Sequence, residues 1–122
     1  MRFPELQEES TLLAAGWLME RERPAEAAAL LEQLVATHGD RYGTYLQLGI
    51  AHLTSGQVRS AEAALRKGLA LNPGEVEGLY YLGVALQEQS RSDLATQLFQ
   101  AVVEKGDEEW RAKAQKHLSE AP

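Results

Sequence analysis

The chain has 122 residues, 44% of them hydrophobic and 25% charged, which is the size and composition of one globular domain. The net charge of -6 argues against a surface for nucleic acid or for anionic membranes, since both need clustered Lys and Arg. Cysteine is absent, which excludes disulfides and thiolate metal sites.

The hydrophobic pattern and the turn signals predict seven helices and no sheet. Pro24 suits the first turn of a helix, and Gly56 separates two periodic segments. The predicted helices cover residues 8–21, 24–37, 42–54, 58–71, 75–89, 92–105 and 108–119. In the last of them, Trp110, Ala114, His117 and Leu118 share one face, and the other face is polar. This pattern is typical of a helix that covers the apolar end of a stack of helices and keeps its other face in solvent.

No apolar run approaches the 18 residues that a membrane span needs, so we expect no insertion into a membrane. The first ten residues are acidic and interrupted by Pro4, and they contain no apolar region of the signal-peptide type. The sequence therefore predicts a cytoplasmic protein.

An internal repeat of 34 residues aligns residues 42–75 with residues 76–109 without a gap. The offset pairs Leu48 with Leu82, Gly49 with Gly83, Ala51 with Ala85, Ala61 with Ala95, and Leu65 with Phe99. Glycine inside a helix costs roughly 1 kcal/mol against alanine, so Gly49 and Gly83 indicate a close approach of two helices. We expect Ala61 and Ala95 to be the small partners across that contact.

The repeat resembles the tetratricopeptide repeat family, whose signature has this period. Residues 42–75 match it with Tyr45, Leu48, Gly49, His52, Ala61, Leu65 and Pro73, and residues 76–109 match it with Leu79, Leu82, Gly83, Leu86, Ala95 and Phe99. Asp107 replaces the closing proline of the second set. The resemblance implies an all-α solenoid in a single domain, residues 1–122, with repeats at 8–41, 42–75 and 76–109 and a capping helix at 108–119.

The first repeat has two possible registers. The same offset puts Thr11, Ala14, Ala15 and Leu18 at the signature positions, and a shift of one residue puts Leu12, Ala15, Gly16 and Met19 there. Terminal repeats are often atypical, because a neighbour lies on one side only.

The family resemblance implies that a second stripe of each first helix lines a concave groove that binds a partner. In the second repeat this stripe is Leu46, Ile50 and Leu53, and in the third it is Tyr80, Val84 and Gln87. In the first it is Leu12, Gly16 and Met19, or Leu13 and Trp17 if the register shifts. One group of the family uses Lys and Asn there to bind the carboxylates of a peptide C-terminus, and neither residue occurs at these positions.

An apolar stripe of this kind is costly to leave exposed to water, and three different groups could cover it. They are an apolar or amphipathic segment of a partner protein or peptide, a second copy in a homodimer, and the chain's own Phe3, Pro4 and Leu6 folded back. The groove is rimmed by Glu9, Glu20, Glu77 and Glu88. The N-terminal acidic residues Glu5, Glu8, Glu9, Glu20, Glu22 and Glu26 indicate a solvated surface, or one that steers a basic partner.

Trp17 does not clearly face the core of its own repeat in either register. It either packs against Phe3 or Leu6, or it is a possible anchor for a partner, since tryptophan is enriched among interface hot spots.

Catalytic and metal sites find no support in the sequence. His38, His52 and His117 are too far apart in the repeat to share a metal, and His52 is expected to be a hydrogen-bonded core residue. There is no phosphate loop and no nucleophile with a matching base, so we expect neither an enzyme nor a cofactor.

The sequence favours an adaptor or chaperone for a partner protein. The alternatives are a self-assembling scaffold and, by a looser resemblance in "LLAAGWL" and in size, a tetratricopeptide chaperone of bacterial type III secretion.

Overall fold

A computed structural model describes the backbone of residues 4–120 and the side chains of residues 7–120. Within that range the chain forms seven helices and no strand, which confirms the predicted all-α solenoid. The helices are α1 (Pro4–Glu20), α2 (Pro24–Thr37), α3 (Tyr42–Thr54), α4 (Val58–Leu71), α5 (Val76–Glu88), α6 (Ser92–Lys105) and α7 (Glu108–Glu120). Each packs mainly on its neighbours along the chain, as expected of a helical repeat array.

The predicted start of α1 at residue 8 is wrong, because the helix begins at Pro4. Proline is tolerated in a first turn, where its missing N–H would have no partner inside the helix. Pro24 opens α2 in the same way, as predicted. Pro4–Leu6 therefore continue α1, and this part of the N-terminus does not return over the groove, whereas Phe3 lies outside the described residues.

The turn inside each helix pair repeats with the same 34-residue period. Glu22, Gly56 and Ser90 occupy the left-handed region, with φ of 59°, 84° and 60°. The residue after each of them donates its N–H to the carbonyl five residues earlier, at 2.8, 2.8 and 2.9 Å. These bonds satisfy carbonyls that the end of a helix leaves open. Gly56 was expected as a break, but nothing in the local sequence marked Glu22 or Ser90.

The two helix-pairing glycines make room for large side chains. A Cβ on Gly49 would lie 2.5 Å from Cγ of Leu65, and one on Gly83 would lie 2.9 Å from Cε1 of Phe99. The expectation that Ala61 and Ala95 are the partners across this contact is therefore wrong, although both alanines are buried. Leu65 and Phe99 fill the core at these points, since each is almost fully buried.

The burial pattern of α1 favours the unshifted register of the first repeat. Ala15 is buried, and it lies one repeat before Gly49. Gly16 would have to make the close approach in the shifted register, yet a Cβ added there would meet nothing within 4 Å. We infer that the first repeat follows the same 34-residue spacing as the other two.

Helix α7 closes the C-terminal end of the array. Its predicted inner face is confirmed, with Ala114 fully buried and Trp110, His117 and Leu118 half-buried. Trp110, Leu118 and Ala114 all join the hydrophobic cluster of the third repeat. The opposite face carries exposed Arg111, Lys113, Lys116 and Glu120.

Candidate protein-binding groove

We call the residues predicted to line the groove the groove strip. Its members are Leu12, Met19, Leu46, Ile50, Leu53, Tyr80, Val84 and Gln87, and every one of them is half-buried. Leu12 and Met19 pack at the edge of the cluster that includes Ala15 and Leu31. Leu46, Leu53 and Val84 pack at the edge of the cluster around Phe99. Every apolar member except Ile50 therefore packs against the core on one side and keeps part of its surface in solvent.

The strip comes from successive first helices of the repeats. Residues 46, 50 and 53 follow the three- and four-residue spacing that keeps side chains on one helical face. Ile50 is the one apolar member of the strip that packs against neither buried cluster. The apolar residues of α3 thus form the centre of the strip.

At the third repeat, the polar members of the strip are bonded to the capping helix. His117 lies 2.9 Å from the hydroxyl of Tyr80 through Nε2 and 2.9 Å from Oε1 of Gln87 through Nδ1. Its ring also stacks on Phe99, with the centroids 4.6 Å apart. Burial raises the pKa of Tyr80, with a further contribution from Tyr81. Tyr80 and Gln87 therefore hold α7 in place. No local pattern predicts these bonds, because His117 is 30 residues from Gln87.

The residues predicted to rim the groove are acidic. Glu9, Glu20, Glu77 and Glu88 are all exposed, as expected. The strip between them carries no Lys, Arg or Asn. A binding segment would therefore meet an apolar floor and a negatively charged edge.

Not every N-terminal glutamate is solvated. Glu8 is only 4% exposed, and its Oε1 lies 3.1 Å from Nε of Arg41. The expectation of a solvated Glu8 is therefore wrong, because this carboxylate lies beside the start of α3 and pairs with a guanidinium there. The other described members of that acidic set are exposed, and the side chain of Glu5 lies outside the described residues.

Trp17 and Leu13 are exposed side by side on α1. Trp17 is 50% exposed and Leu13 is 76% exposed, the two largest values among the big apolar side chains of the described residues. The guanidinium of Arg21 lies 4.9 Å from the centre of the Trp17 ring, a cation–π distance. The proposed packing of Trp17 on Phe3 or Leu6 involves side chains outside the described residues.

A second polar site, which sequence reasoning missed, joins the second and third repeats. Glu62 accepts hydrogen bonds from Gln89 at 2.8 Å, from Nε of Arg66 at 2.8 Å and from Arg91 at 3.0 Å. The bond from Gln89, followed by the bond and charge of Arg66 and the charge of Arg91, lowers the pKa of Glu62 despite its burial. The four-residue spacing of Glu62 and Arg66 was visible in the sequence, but the partners on the third repeat were not.

His52 is bonded as expected of a core histidine. Its Nε2 lies 2.7 Å from Oε1 of Glu32 on α2, and its side chain is 11% exposed. Within the part of the chain that the structure describes, no three His, Asp or Glu side chains are placed to hold a metal ion together. None of the helices in residues 4–120 has the length and apolar character needed to cross a membrane.

The sequence matches the family model of the tetratricopeptide repeat over residues 46–109, just over half of the chain. A comparison with curated proteins finds no match.

Several solved structures share the fold. The TPR domain of Arabidopsis OM64 gives a TM-score of 0.85 at 15% identity, over 96% of this chain and 98% of that chain. The second TPR domain of human RPAP3 was solved in complex with an HSP70 peptide. It gives a TM-score of 0.83 at 17% identity, over 93% of this chain and 97% of that chain. MamA gives a TM-score of 0.77 at 22% identity over 81% of this chain. The match spans only 58% of the MamA chain. The family match and the helix pairs together show that this chain belongs to the tetratricopeptide repeat family.

Proposed function

We propose that this chain is a protein-interaction module, an adaptor or chaperone, whose groove strip binds an apolar or amphipathic segment of a partner polypeptide. The observation that carries the proposal is the row Leu46, Ile50 and Leu53 on α3, which is apolar and half-buried along one face of the helix. Contiguous apolar surface of this kind is costly to leave in water, and an amphipathic helix laid in a groove would cover it.

The charge of the rim narrows the chemistry of the partner. Exposed Glu77 and Glu88 flank the strip on α5, and the whole chain has a net charge of -6. A partner segment with Lys or Arg beside its apolar residues would be attracted to this edge, and an acidic segment would be repelled. We therefore propose a basic amphipathic helix as the preferred ligand.

The solved relatives support binding of a protein segment but differ in its chemistry. The RPAP3 domain is complexed with the HSP70 peptide SGPTIEEVD, and the Spaghetti domain is bound to an HSP90 peptide that also ends in EEVD. Acidic peptides of this kind are bound best by cationic donors, and the groove strip of this chain has no Lys or Arg. Its one amide side chain, Gln87, is bonded to His117. These relatives support peptide binding as the proposed activity, and the apolar floor is our reason for proposing a different ligand chemistry.

The proposal includes a cytoplasmic location and assigns no catalysis. The type III secretion chaperone and the self-assembling scaffold remain narrower or alternative predictions.

Binding of defined peptides to the full chain tests the proposal. Helical peptides with an apolar face and Lys flanks are titrated, as fluorescent conjugates, beside SGPTIEEVD. We expect the apolar peptides to bind at least about tenfold more tightly than the acidic one, a difference of about 1.4 kcal/mol. Binding of SGPTIEEVD alone, or of none of the peptides, would refute the proposed ligand chemistry.

A further inference from the structure

The outer side of α1 is exposed where the same side of α3 and α5 is buried. The 34-residue offset pairs Ser10 with Thr44 and Gly78, Ala14 with Leu48 and Leu82, and Trp17 with Ala51 and Ala85. The residues on α3 and α5 are all buried, and Leu48 and Ala51 lie in one cluster with Leu31 of the preceding α2. Ser10, Ala14 and Trp17 are all exposed. Together with exposed Leu13, these three residues form what we call the α1 outer face.

The side-chain sizes on this face do not suit another repeat of the same geometry. Ala51 and Ala85 are fully buried, with 0% exposure, so a much larger side chain at this position would have to displace its neighbours. Trp17 stands at the equivalent position on α1, and Ala14 stands where the internal repeats have leucine. A preceding helix packed in the regular way would clash with the indole and leave a gap at Ala14.

The sizes of the side chains on the α1 outer face suit packing against a second copy of α1, related to the first by a two-fold axis. If the axis lies between Leu13 and Ala14 and the two helices run antiparallel, residues whose numbers add to 27 face each other. Trp17 then faces Ser10 of the other copy, and Leu13 faces Ala14 of the other copy. Each large side chain meets a small one, which is the self-complementarity that a two-fold interface requires.

The charges agree with this pairing. The four residues of the α1 outer face are uncharged, and the guanidinium of Arg21 lies 4.9 Å from the centre of the Trp17 ring. Two copies of a chain with a net charge of -6 would therefore bring no acidic groups of this face together at the centre. At the other end of the array, the described part of α7 presents exposed Arg111, Lys113 and Lys116 instead.

We infer that the α1 outer face is the interface of a homodimer in which α1 packs antiparallel on α1 of a second copy. The inference is independent of the groove, since the outer face shares no residue with the groove strip. An interface centred on one helix from each copy is small, and such interfaces are usually weak.

Sedimentation equilibrium of the full chain between about 1 µM and about 1 mM tests the dimer. We expect the mass to rise from one to two chains, and we expect Trp17→Ala to weaken the dimer at least about tenfold. Leu71→Ala is the matched control, because Leu71 is 44% exposed on α4 and should leave the dimer unchanged. Ser10→Trp should also break the dimer by placing two indoles against each other, and it decides the question if Trp17→Ala folds poorly.

Disulfide trapping tests the position of the axis, since the chain has no cysteine of its own. Ala14→Cys lies beside the proposed axis and should form a covalent dimer under mild oxidation, whereas Ala112→Cys, also exposed but on α7, should not. A chain that stays monomeric at every concentration overturns the inference. A dimer that is indifferent to Trp17→Ala and Ser10→Trp, or that traps equally well at Ala112, also overturns it by placing the contact elsewhere.

Discussion

The hydroxyl of Tyr42, at the start of α3, accepts a hydrogen bond from the backbone N–H of Gly78 in the first turn of α5, at 2.9 Å. The first N–H groups of a helix have no partner inside it, and Glu75, the N-cap of α5, makes no side-chain cap bond. Tyr42 therefore caps the next repeat from outside it. Burial raises the pKa of Tyr42 to about 12, and the charges of Glu75 and Glu77 add to the shift.

Removing this cap should weaken the joint between the second and third repeats. We expect Tyr42→Phe to lower the free energy of unfolding by about 1–2 kcal/mol, because the N–H of Gly78 stays part-buried without its acceptor. Urea unfolding of the variant measures the loss. Tyr45→Phe is the control, since its hydroxyl bonds the carbonyl of Gly39 at an exposed site, and it should cost less. Equal stability of Tyr42→Phe and the parent chain would contradict the capping role.

The same pair predicts a response to alkaline pH. The folded-state pKa of Tyr42, about 12, lies above its ordinary value of 10.0, so its contribution to stability is complete below pH 10 and is lost as the pH rises toward 12. An ultraviolet titration should show one tyrosine ionising near pH 12 that disappears in Tyr42→Phe. A titration curve that is unchanged in shape by the substitution would speak against it.

A glycine-to-alanine substitution should have opposite effects on stability at Gly49 and at Gly16. Gly49→Ala should destabilise the chain by about 1–3 kcal/mol, because the added Cβ would overlap Leu65. Gly16→Ala should stabilise it by about 0.5–1 kcal/mol, because a helical glycine is replaced in open space. Thermal melts of the two variants check the pair. A gain at Gly49 or a loss at Gly16 would refute the packing around α3 or α1.

The left-handed turns predict a stabilising change at Ser90. Ser90→Gly should raise stability by about 1 kcal/mol, because glycine adopts a φ of 60° without the penalty of a Cβ. Gly56→Ala should lower it by a similar amount for the opposite reason, since its φ is 84° and no atom crowds the site. Differential scanning calorimetry compares both with the parent chain. If Ser90→Gly lowers the melting temperature, the strain is not at this residue.

Glu62 predicts a loss of stability in acid. Its folded-state pKa lies below the ordinary value of 4.5, so its contribution is complete above that pH and is lost as the pH falls through the folded-state pKa. Glu62→Gln should therefore cost about 1 kcal/mol at pH 7, and the difference from the parent chain should shrink as the pH falls through the folded-state pKa. Exposed Glu104→Gln is the matched control, and a difference that persists in acid would contradict the ion-pair account.

The sequence predicted what depends on local periodicity. Six of the seven helices begin and end within about two residues of the prediction, because apolar spacing and turn signals act over a few residues. The start of α1 was missed because Pro4 looks like a break and acts as a first-turn residue. The strained φ of Ser90 was missed because the turn is fixed by the helices on both sides, and the residue type does not indicate it.

Local periodicity also explains which part of the candidate site was predicted. The half-buried strip on α3 follows from helical spacing and the family resemblance. The bonds of Tyr80 and Gln87 to His117 join residues 37 and 30 positions apart, and only the packed array shows them. The contact of Gly49 with Leu65 was misassigned to alanines, because the sequence shows that a glycine makes room without showing which side chain fills it.

Helix content and peptide binding of Ile50→Glu, measured on one sample, test the proposed groove most directly. Ile50 lies in the strip but in neither buried cluster, so the variant should keep its helicity. It should lose binding of the Lys-flanked apolar peptide at least about tenfold, because the peptide would bury an unpaired carboxylate. Gln47→Glu, exposed on the same helix, should bind as the parent chain does. A folded Ile50→Glu chain that binds the peptide unchanged, or a chain that unfolds because Ile50 is core, would contradict the groove as the binding surface.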